Sequence, residues 1–537
     1  MLDRFKRLDI FKSYQNNINL PIILENKLSN SKGLDSDPKD FDGEDKPHSN
    51  CAIFGIYDHP QAAVMTYYGL HSQQHRGQEA SGICASEKLE NGKYRFNIHK
   101  GHGIALNVFS GKNTLTNVLK GSAAIGHNRY STTGASDSRA NIQPFKVNFK
   151  EGHLALSHNG NFTNTRQLRQ KLQNEGTLFQ TSTDSEIFLH LIARSRQTEM
   201  IDKILDAARQ ITGAYSIILL TDDKLFAIRD PYAVRPLSMA KLGSSFVFAS
   251  ETCAFDIINA DYVRDLKAGE VIQIDDEVIR TGEVKSFFID KKPETKHCIF
   301  EYVYFSRPDS TIFGHTVDKV RRKLGKNLSL EKPAPKANIE DKKVVVISVP
   351  DSSNTAALGY VTETIKSNPY VKLELGLIRS HYIGRTFIQP GQDNREIKVK
   401  SKFNTVKSVL KDRIVVIVDD SIVRGTTARQ LVRLVKEAGP KEIHLRITSP
   451  PIISPCYYGM DFPSKGELIA NQCGEDLEKI REYLDVNSVE YLSLEKLHDS
   501  VPQGVNKHGE KVGYCDACFS GNYPIPIEEI EKTEFEG

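Results

Sequence analysis

Ile414-Val-Val-Ile-Val418 is an unbroken apolar run that stops abruptly at Asp419-Asp420. Five consecutive apolar residues suit a strand covered on both faces, the situation of a parallel sheet. Ser421-Ile-Val-Arg-Gly425 follows, and Thr426-Thr427 open a segment in which Ala428, Leu431, Val432, Val435 and Ala438 share one helical face. Gly439-Pro440 stop that helix. Val344–Val349 predicts a second buried strand, with a helix from about Thr355, and Leu373–Ile378 predicts another strand. Strand, helix and strand at this spacing predict an open α/β sheet, whose ligands bind at the carboxyl ends of its strands. Asp419–Thr427 sits at such an end. Two carboxylates suit a magnesium ion or sugar hydroxyls, and N–H groups at a helix start suit a phosphate. A phosphorylated ribose has both parts.

The chain has 537 residues, room for two to four domains at roughly 100–200 residues each. It is 39% hydrophobic and 26% charged with a net charge of +3, which argues against a nucleic-acid or membrane-surface partner. Its apolar runs are too short to span a bilayer. Residues 1–50 stand apart. They are polar, and their best apolar stretch, Leu20–Leu24, is too short for a signal-peptide core. Arg4, Lys6, Arg7 and Lys12 make a basic start, but Asp3 and Asp9 interrupt it, unlike an acid-poor transit peptide. Asp35 to Asp45 is acidic and Gly-containing, a composition that resists folding. The expectation is a disordered leader on a cytoplasmic protein, with organelle targeting by that leader as the alternative.

Composition changes at Cys51, where Cys51-Ala-Ile-Phe-Gly-Ile-Tyr57 reads as a first strand. A cysteine at the start of a folded domain can become a new N-terminus. Its α-amine, with a pKa of about 7.7–8.0, could then take the proton of its own thiol, whose pKa is about 8.5. One residue would supply both nucleophile and base. Eight cysteines are too few for a disulfide scaffold and point to reactive or metal-binding thiols in a reducing compartment. Cys84 and Cys253 sit among small and apolar residues and read as core thiols; Cys473 has no partner in sequence.

Four polar clusters lie between strand-like runs: His71–Gln78, Gly126–Gly134, Ser157–Asn161 and Thr181–Glu186. Each alone could be a turn. In order and spacing, from Cys51 to about Gly269, they resemble the glutamine-hydrolysing domain of the N-terminal-nucleophile (class II) amidotransferases. The resemblance implies that Cys51 is the nucleophile and that Asn159 and the N–H of Gly160 hold the oxyanion. It implies that Arg129 grips the glutamine carboxylate, that Asp184 receives its ammonium, and that Arg76 lies near the same pocket. His127 reads equally as a hydrogen-bonding core histidine. Arg229–Leu237 and Ala249–Asp256 resemble that family's later strands and turns and are assigned to fold.

Val415–Thr427 resembles the phosphoribosyl-pyrophosphate motif of type I phosphoribosyltransferases. By that resemblance Asp419, Asp420, Ser421, Arg424, Gly425, Thr426 and Thr427 bind phosphoribosyl pyrophosphate. Pro350–Ser353 is similar to the pyrophosphate loop, with Ser352 joining Asp419 and Asp420 around one Mg2+ per subunit. Tyr382–Pro390 resembles the flexible loop, in which Arg385 would reach the pyrophosphate. Lys400 stands where relatives carry arginine and would lose the bidentate grip.

Cys515-Asp-Ala-Cys518 is a weak metal or redox signal by itself. The stretches around Cys298 and Cys456 resemble segments of an iron–sulfur branch of one family, which implies one [4Fe–4S] cluster per subunit on Cys298, Cys456, Cys515 and Cys518. Zinc would accept the same thiolates. From Cys51 to about Pro524 the chain resembles the amidophosphoribosyltransferase family. The implied architecture is α+β and α/β. A leader (1–50), cut before Cys51, precedes an Ntn-hydrolase αββα sandwich (51–290). A type I phosphoribosyltransferase α/β domain (300–480) follows, and then a C-terminal extension with two cluster cysteines (481–537). The implied reaction makes 5-phosphoribosylamine, pyrophosphate and glutamate from glutamine and phosphoribosyl pyrophosphate, the first step of purine synthesis. Inhibition by purine nucleotides and a homotetramer are carried over with it. A sugar-phosphate amidotransferase would share the first half but not Asp419–Thr427. A catalytically inactive nucleotide-binding relative would not need Cys51, Asn159, Asp184, Asp419 and Asp420 together.

Overall fold

The computed structural model of the chain describes residues 51–130, 138–290, 292, 294–336, 344–380 and 402–527. The implied phosphate contacts Arg385 and Lys400 lie outside them, as does the leader.

Alternation along the first strand sets the N-terminal layers. In Ala52–Tyr57, Ile53 points into a core shared with Ile218, Leu220, Leu225, Ala227, Phe246 and Phe248. Its neighbours Phe54 and Ile56 point the other way, onto Ala62, Ala63 and Leu70 of the helix Ala62–Ser72. Ile53, Phe54 and Ile56 are all fully buried, and each such side chain contributes about 1.5–3 kcal/mol. The strand is central in a seven-stranded antiparallel sheet. Its order is Asp261–Asp265, Ser238–Leu242, Ser245–Ala249, Ala52–Tyr57, Ala123–Arg129, Ala80–Lys88 and Tyr94–His102. A six-stranded antiparallel sheet faces it, ordered Lys285–Phe288, Glu270–Ile274, Leu225–Arg229, Gly213–Thr221, Gly152–Phe162 and Phe145–Phe149. Helices Ser185–Arg194 and Met200–Ala208 cover the outer face of the second sheet through Ile187, Phe188, Leu191 and Ile204. Helix, sheet, sheet and helix make the expected αββα sandwich.

The second architecture is a five-stranded parallel sheet, ordered Lys372–Leu373, Val344–Ser348, Ile414–Asp419, Glu442–Ile447 and Ser488–Tyr491. The central strands are apolar on both sides for the reason their sequences suggest. Val344, Val346, Val416 and Val418 pack on the helices Val317–Glu331 and Asn354–Thr364. Val345, Ile347, Val415 and Ile417 pack on Leu431 and Val435 of the helix Thr426–Lys436 and on Ile480 and Leu484 of the helix Leu477–Leu484. Among the described residues no helix is long and apolar enough to cross a membrane.

Two expectations need correction. Leu373–Ile378 is not one strand. Leu373 ends the edge strand, Glu374 still donates its N–H to the Val346 carbonyl at 3.0 Å, and Leu377–Arg379 then pairs antiparallel with Phe403–Thr405 in a separate ribbon. An apolar run cannot reveal such a change of partner. Residue 480 is likewise no boundary. The strand Ser488–Tyr491 pairs with Glu442–Ile447, with Leu445 opposite Val489, so residues beyond 480 complete the parallel sheet.

Candidate functional site

Cys51 lies at the mouth of its strand, 9% exposed, with its thiol donating to the carbonyl of Tyr130 at 3.4 Å. Burial pushes that thiol up to about 11; the Tyr130 bond and the Arg129 charge pull the other way and lose. At neutral pH the thiol is therefore protonated and needs a base. The adjacent strand ends in Arg129, pairing through Ala52 opposite Asn128. Burial lowers the Arg129 guanidinium, and the nearby Cys51 and Glu79 oppose that fall. Asp184 precedes the helix Ser185–Arg194 and accepts from the Phe162 N–H at 2.9 Å and the Ser185 hydroxyl at 3.1 Å. Burial alone would raise its carboxyl, but His158 at 3.7 Å and those two bonds outweigh it and hold the group below the ordinary carboxylate value. One thiol thus has a cation and an anion within electrostatic reach.

Asn159 and Gly160 come from the opposing sheet. Ser250 joins the two sheets at this point. Its hydroxyl oxygen accepts from the Ile53 N–H at 3.1 Å and from the Asn159 amide at 3.3 Å. Gly160 has φ of 146°, and a Cβ there would lie 2.0 Å from the Ala214 carbonyl oxygen, so only glycine fits. His127 is buried and pushed down to about 3 by that burial, a neutral imidazole 3.0 Å from the His158 carbonyl.

Arg76 sits elsewhere than in an open pocket. It is fully buried, donates to Glu301 through both Nη atoms at 2.9 and 2.6 Å, and reaches Glu251 at 2.5 Å. Its Nε is 3.4 Å from the Cys51 carbonyl oxygen. Burial works against its charge, and Glu301 and Glu251 more than restore it. Arg76 therefore orients the backbone of Cys51. Its partners Glu251 and Glu301, from a turn and from the segment between the two sheet systems, gave no sequence signal of this role.

At the second site Asp419 and Asp420 are buried at the carboxyl end of the strand Ile414–Asp419. Ser352 donates to Asp420 at 2.5 Å, and Ser353 donates to Asp419 at 3.0 Å and Asp420 at 3.2 Å. Ser421 donates to Asp420 at 2.8 Å. Gly425, at φ 81°, lets the chain turn into the helix that Thr426 and Thr427 begin. Arg424 lies 3.7 Å from Glu467. Two carboxylates ringed by hydroxyls are an oxygen donor set that fits Mg2+. Arg321, which donates to the Ser352 carbonyl at 3.3 Å, is an addition that sequence reasoning missed, and Ser353, inside the pyrophosphate-loop stretch, is given no role of its own by sequence.

Cys298, Cys456, Cys515 and Cys518 line one buried cavity with Val234, Arg235, Phe300, Tyr458, Met460, Phe462, Ala517 and Tyr523. Cys298 pairs beside Cys515 in a short parallel bridge, and Cys456 Sγ accepts the Tyr458 N–H at 3.3 Å. Burial pushes Cys298 up to about 12 and raises Cys515 and Cys518 well above the ordinary thiol value, so these three thiols are neutral when bare. Among the described residues no three His, Cys, Asp or Glu side chains converge on a single ion. The cavity has a volume of about 20 Å³. Four thiols around an apolar cavity with a buried guanidinium are the donor chemistry that suits an anionic iron–sulfur group.

Residues 127–256 match the glutamine amidotransferase domain family. The chain is 42% identical, over 97% of its own length and 87% of the relative's, to a chloroplastic amidophosphoribosyltransferase of Glycine max. A solved structure described as the allosteric regulatory enzyme of purine biosynthesis matches 91% of this chain and 99% of its own, with a TM-score of 0.81 and 40% identity. The glutamine phosphoribosylpyrophosphate amidotransferase of B. subtilis, solved with ADP and GMP, matches 90% of this chain and 99% of its own, with a TM-score of 0.79 and 41% identity. With an αββα sandwich joined to a parallel sheet that ends in Asp419-Asp420, and with likeness over almost its whole length, this chain belongs to the amidophosphoribosyltransferase family, the glutamine-dependent enzymes of purine biosynthesis.

Proposed function

We propose that Cys51 hydrolyses glutamine and that Asp419–Thr427 holds the phosphoribosyl pyrophosphate to which the released ammonia is transferred. The observation that carries the first half is the pair of opposite charges, Arg129 and Asp184, acting on one buried thiol. They match the α-carboxylate and α-ammonium of glutamine. A leader ending at residue 50 is cut away, and the freed amine of Cys51 takes the thiol proton. The sulfur attacks the side-chain amide carbon. Asn159 and the Gly160 N–H hold the oxyanion, a donor worth about 2.7–4 kcal/mol in comparable sites. Ammonia leaves, and water releases glutamate from the thioester.

At the second site Ser352, Asp419 and Asp420 would hold Mg2+, which supplies charge neutralisation for the pyrophosphate when bound. The N–H groups and hydroxyls of Thr426 and Thr427, with Ser421, Gly425 and Arg424, would hold the 5-phosphate and ribose. Arg385 and Lys400 remain the assigned contacts of the pyrophosphate and the neighbouring loop. Cys298, Cys456, Cys515 and Cys518 would hold a [4Fe–4S] cluster whose role is structural, tying the chain's end to both sheet systems. The nucleotides bound by the B. subtilis relative support purine-nucleotide inhibition here as well. A homotetramer and a cytoplasmic location complete the reading.

Incubation of the purified chain with amide-15N glutamine, phosphoribosyl pyrophosphate and Mg2+ tests it. Equal amounts of glutamate and pyrophosphate are expected, with 15N in trapped 5-phosphoribosylamine. Glutamate formation without pyrophosphate release, or 15N confined to free ammonia, would contradict it.

A further inference from the structure

Arg235 is fully buried, and Nε, Nη1 and Nη2 all lack a hydrogen-bond partner. Equally buried arginines in this chain spend their donors. Arg229 donates to the carbonyls of Arg235 at 2.9 Å and Ala233 at 3.0 Å, and Arg321 to those of Tyr302 and Ser306 at 2.8 Å each. The carboxylate nearest Arg235 is Glu301, 3.2 Å from Nη2 but not aligned for a hydrogen bond, and Glu301 is already engaged by Arg76 and Ser306. Unmade buried donors are costly and rare in native proteins. Arg235 lines the cavity formed by Cys298, Cys456, Cys515 and Cys518. A protonated thiol is a weak acceptor, whereas thiolate and sulfide carry the negative charge a guanidinium seeks.

We propose that Arg235 donates its guanidinium N–H groups to the sulfur atoms of the anionic group held by the four cysteines, and so retains that group. The proposal rests on the iron–sulfur reading of the cavity. It gives a chemical role to a residue that the sequence assigned to fold alone. Hydrogen bonds to sulfur and local charge are the means by which a protein tunes such a group. A planar fork reaches two sulfur atoms at once, which an ammonium cannot do.

The test compares the full-length wild-type chain with Arg235→Lys and Arg235→Met, all reconstituted without air using ferrous iron and sulfide. Four irons and four sulfides per wild-type chain support the iron–sulfur reading; zinc in their place would overturn that reading, whatever Arg235 does. Metal release to a chelator then tests Arg235. The expected release is at least tenfold faster in Arg235→Met, with Arg235→Lys between it and wild type, and with shifted Fe–S stretching frequencies in the Raman spectrum. Variants that release metal at the wild-type rate with unshifted frequencies would overturn the proposal. Where neither variant folds, pulsed EPR of the reduced wild-type chain carrying guanidinium-15N arginine decides. A 15N coupling to the cluster supports the contact, and its absence overturns it.

Discussion

Asn161 donates its side-chain amide to the carbonyl oxygen of Tyr457 at 3.0 Å, across 296 residues of sequence. The neighbouring Gly459 packs so closely on Gly160 that a Cβ on it would lie 3.0 Å from the Gly160 Cα and carbonyl carbon. The strand that carries Asn159 and Gly160 is therefore braced from behind by the loop that carries Cys456. Two segments distant in sequence thus meet at the back of the proposed oxyanion site.

Gly459→Ala should damage that brace. The position has φ of 96°, unfavourable for alanine, and the new methyl has to displace backbone. A cost of about 1–2 kcal/mol from the backbone conformation alone is expected. Glutamine-dependent turnover should fall about tenfold, the equivalent of ~1.4 kcal/mol, while ammonia-dependent synthesis changes less. Parallel assays with the two nitrogen sources read the difference directly.

Glu301→Gln removes the carboxylate that Arg76 grips with both Nη atoms. Breaking a buried ion pair from one side costs about 3–5 kcal/mol. The urea midpoint of the variant should fall accordingly. Surviving folded enzyme should lose glutamine hydrolysis first, since Arg76 also touches the Cys51 carbonyl. Equal loss with glutamine and ammonia would show that Glu301 has no special bearing on Cys51.

The pH dependence of thiol alkylation separates two states of Cys51. With residue 50 attached, the Cys51 nitrogen is an amide and the thiol ionises near 11. Raising a thiol pKa moves thiolate formation to higher pH, so iodoacetamide inactivation should climb through pH 10 without levelling. With Cys51 as the first residue, an amine of pKa about 7.7–8.0 assists, and the rate should level above pH ~8. Identical profiles from the two chains would remove the amine from the mechanism.

Asp420→Asn should abolish synthesis from either nitrogen source. The change removes a charge where Ser352, Ser353 and Ser421 converge. A loss of at least 100-fold, about 2.7 kcal/mol, is expected, with a higher Mg2+ requirement in whatever activity survives. Hydrolysis of glutamine measured alone should persist.

What the sequence discloses follows how local each feature is. Asp419–Thr427 could be read because strand, carboxylates, glycine turn and helix start lie within a dozen residues. The same holds for the entry of Cys51 into Ala52–Tyr57, whose alternation places Ile53 and Phe54 on opposite faces. The partners of Arg76 could not be read, since Glu251 and Glu301 lie 175 and 225 residues away and their own neighbourhoods look like ordinary turns. Arg235 escaped for the same reason: its importance is a set of missing bonds, visible only once the surrounding chain is folded. The strand at Leu373 and the one at Val489 were misjudged because pairing partners, unlike hydropathy, leave no trace in a short run.

The account depends above all on the thiol of Cys51 lying beside a free α-amine. N-terminal sequencing with intact-mass measurement, made on protein fully active with glutamine, tests this most directly. The expected first residue is Cys51, with the mass of residues 51–537. Full glutamine-dependent activity in a chain that still begins at Met1 would contradict it.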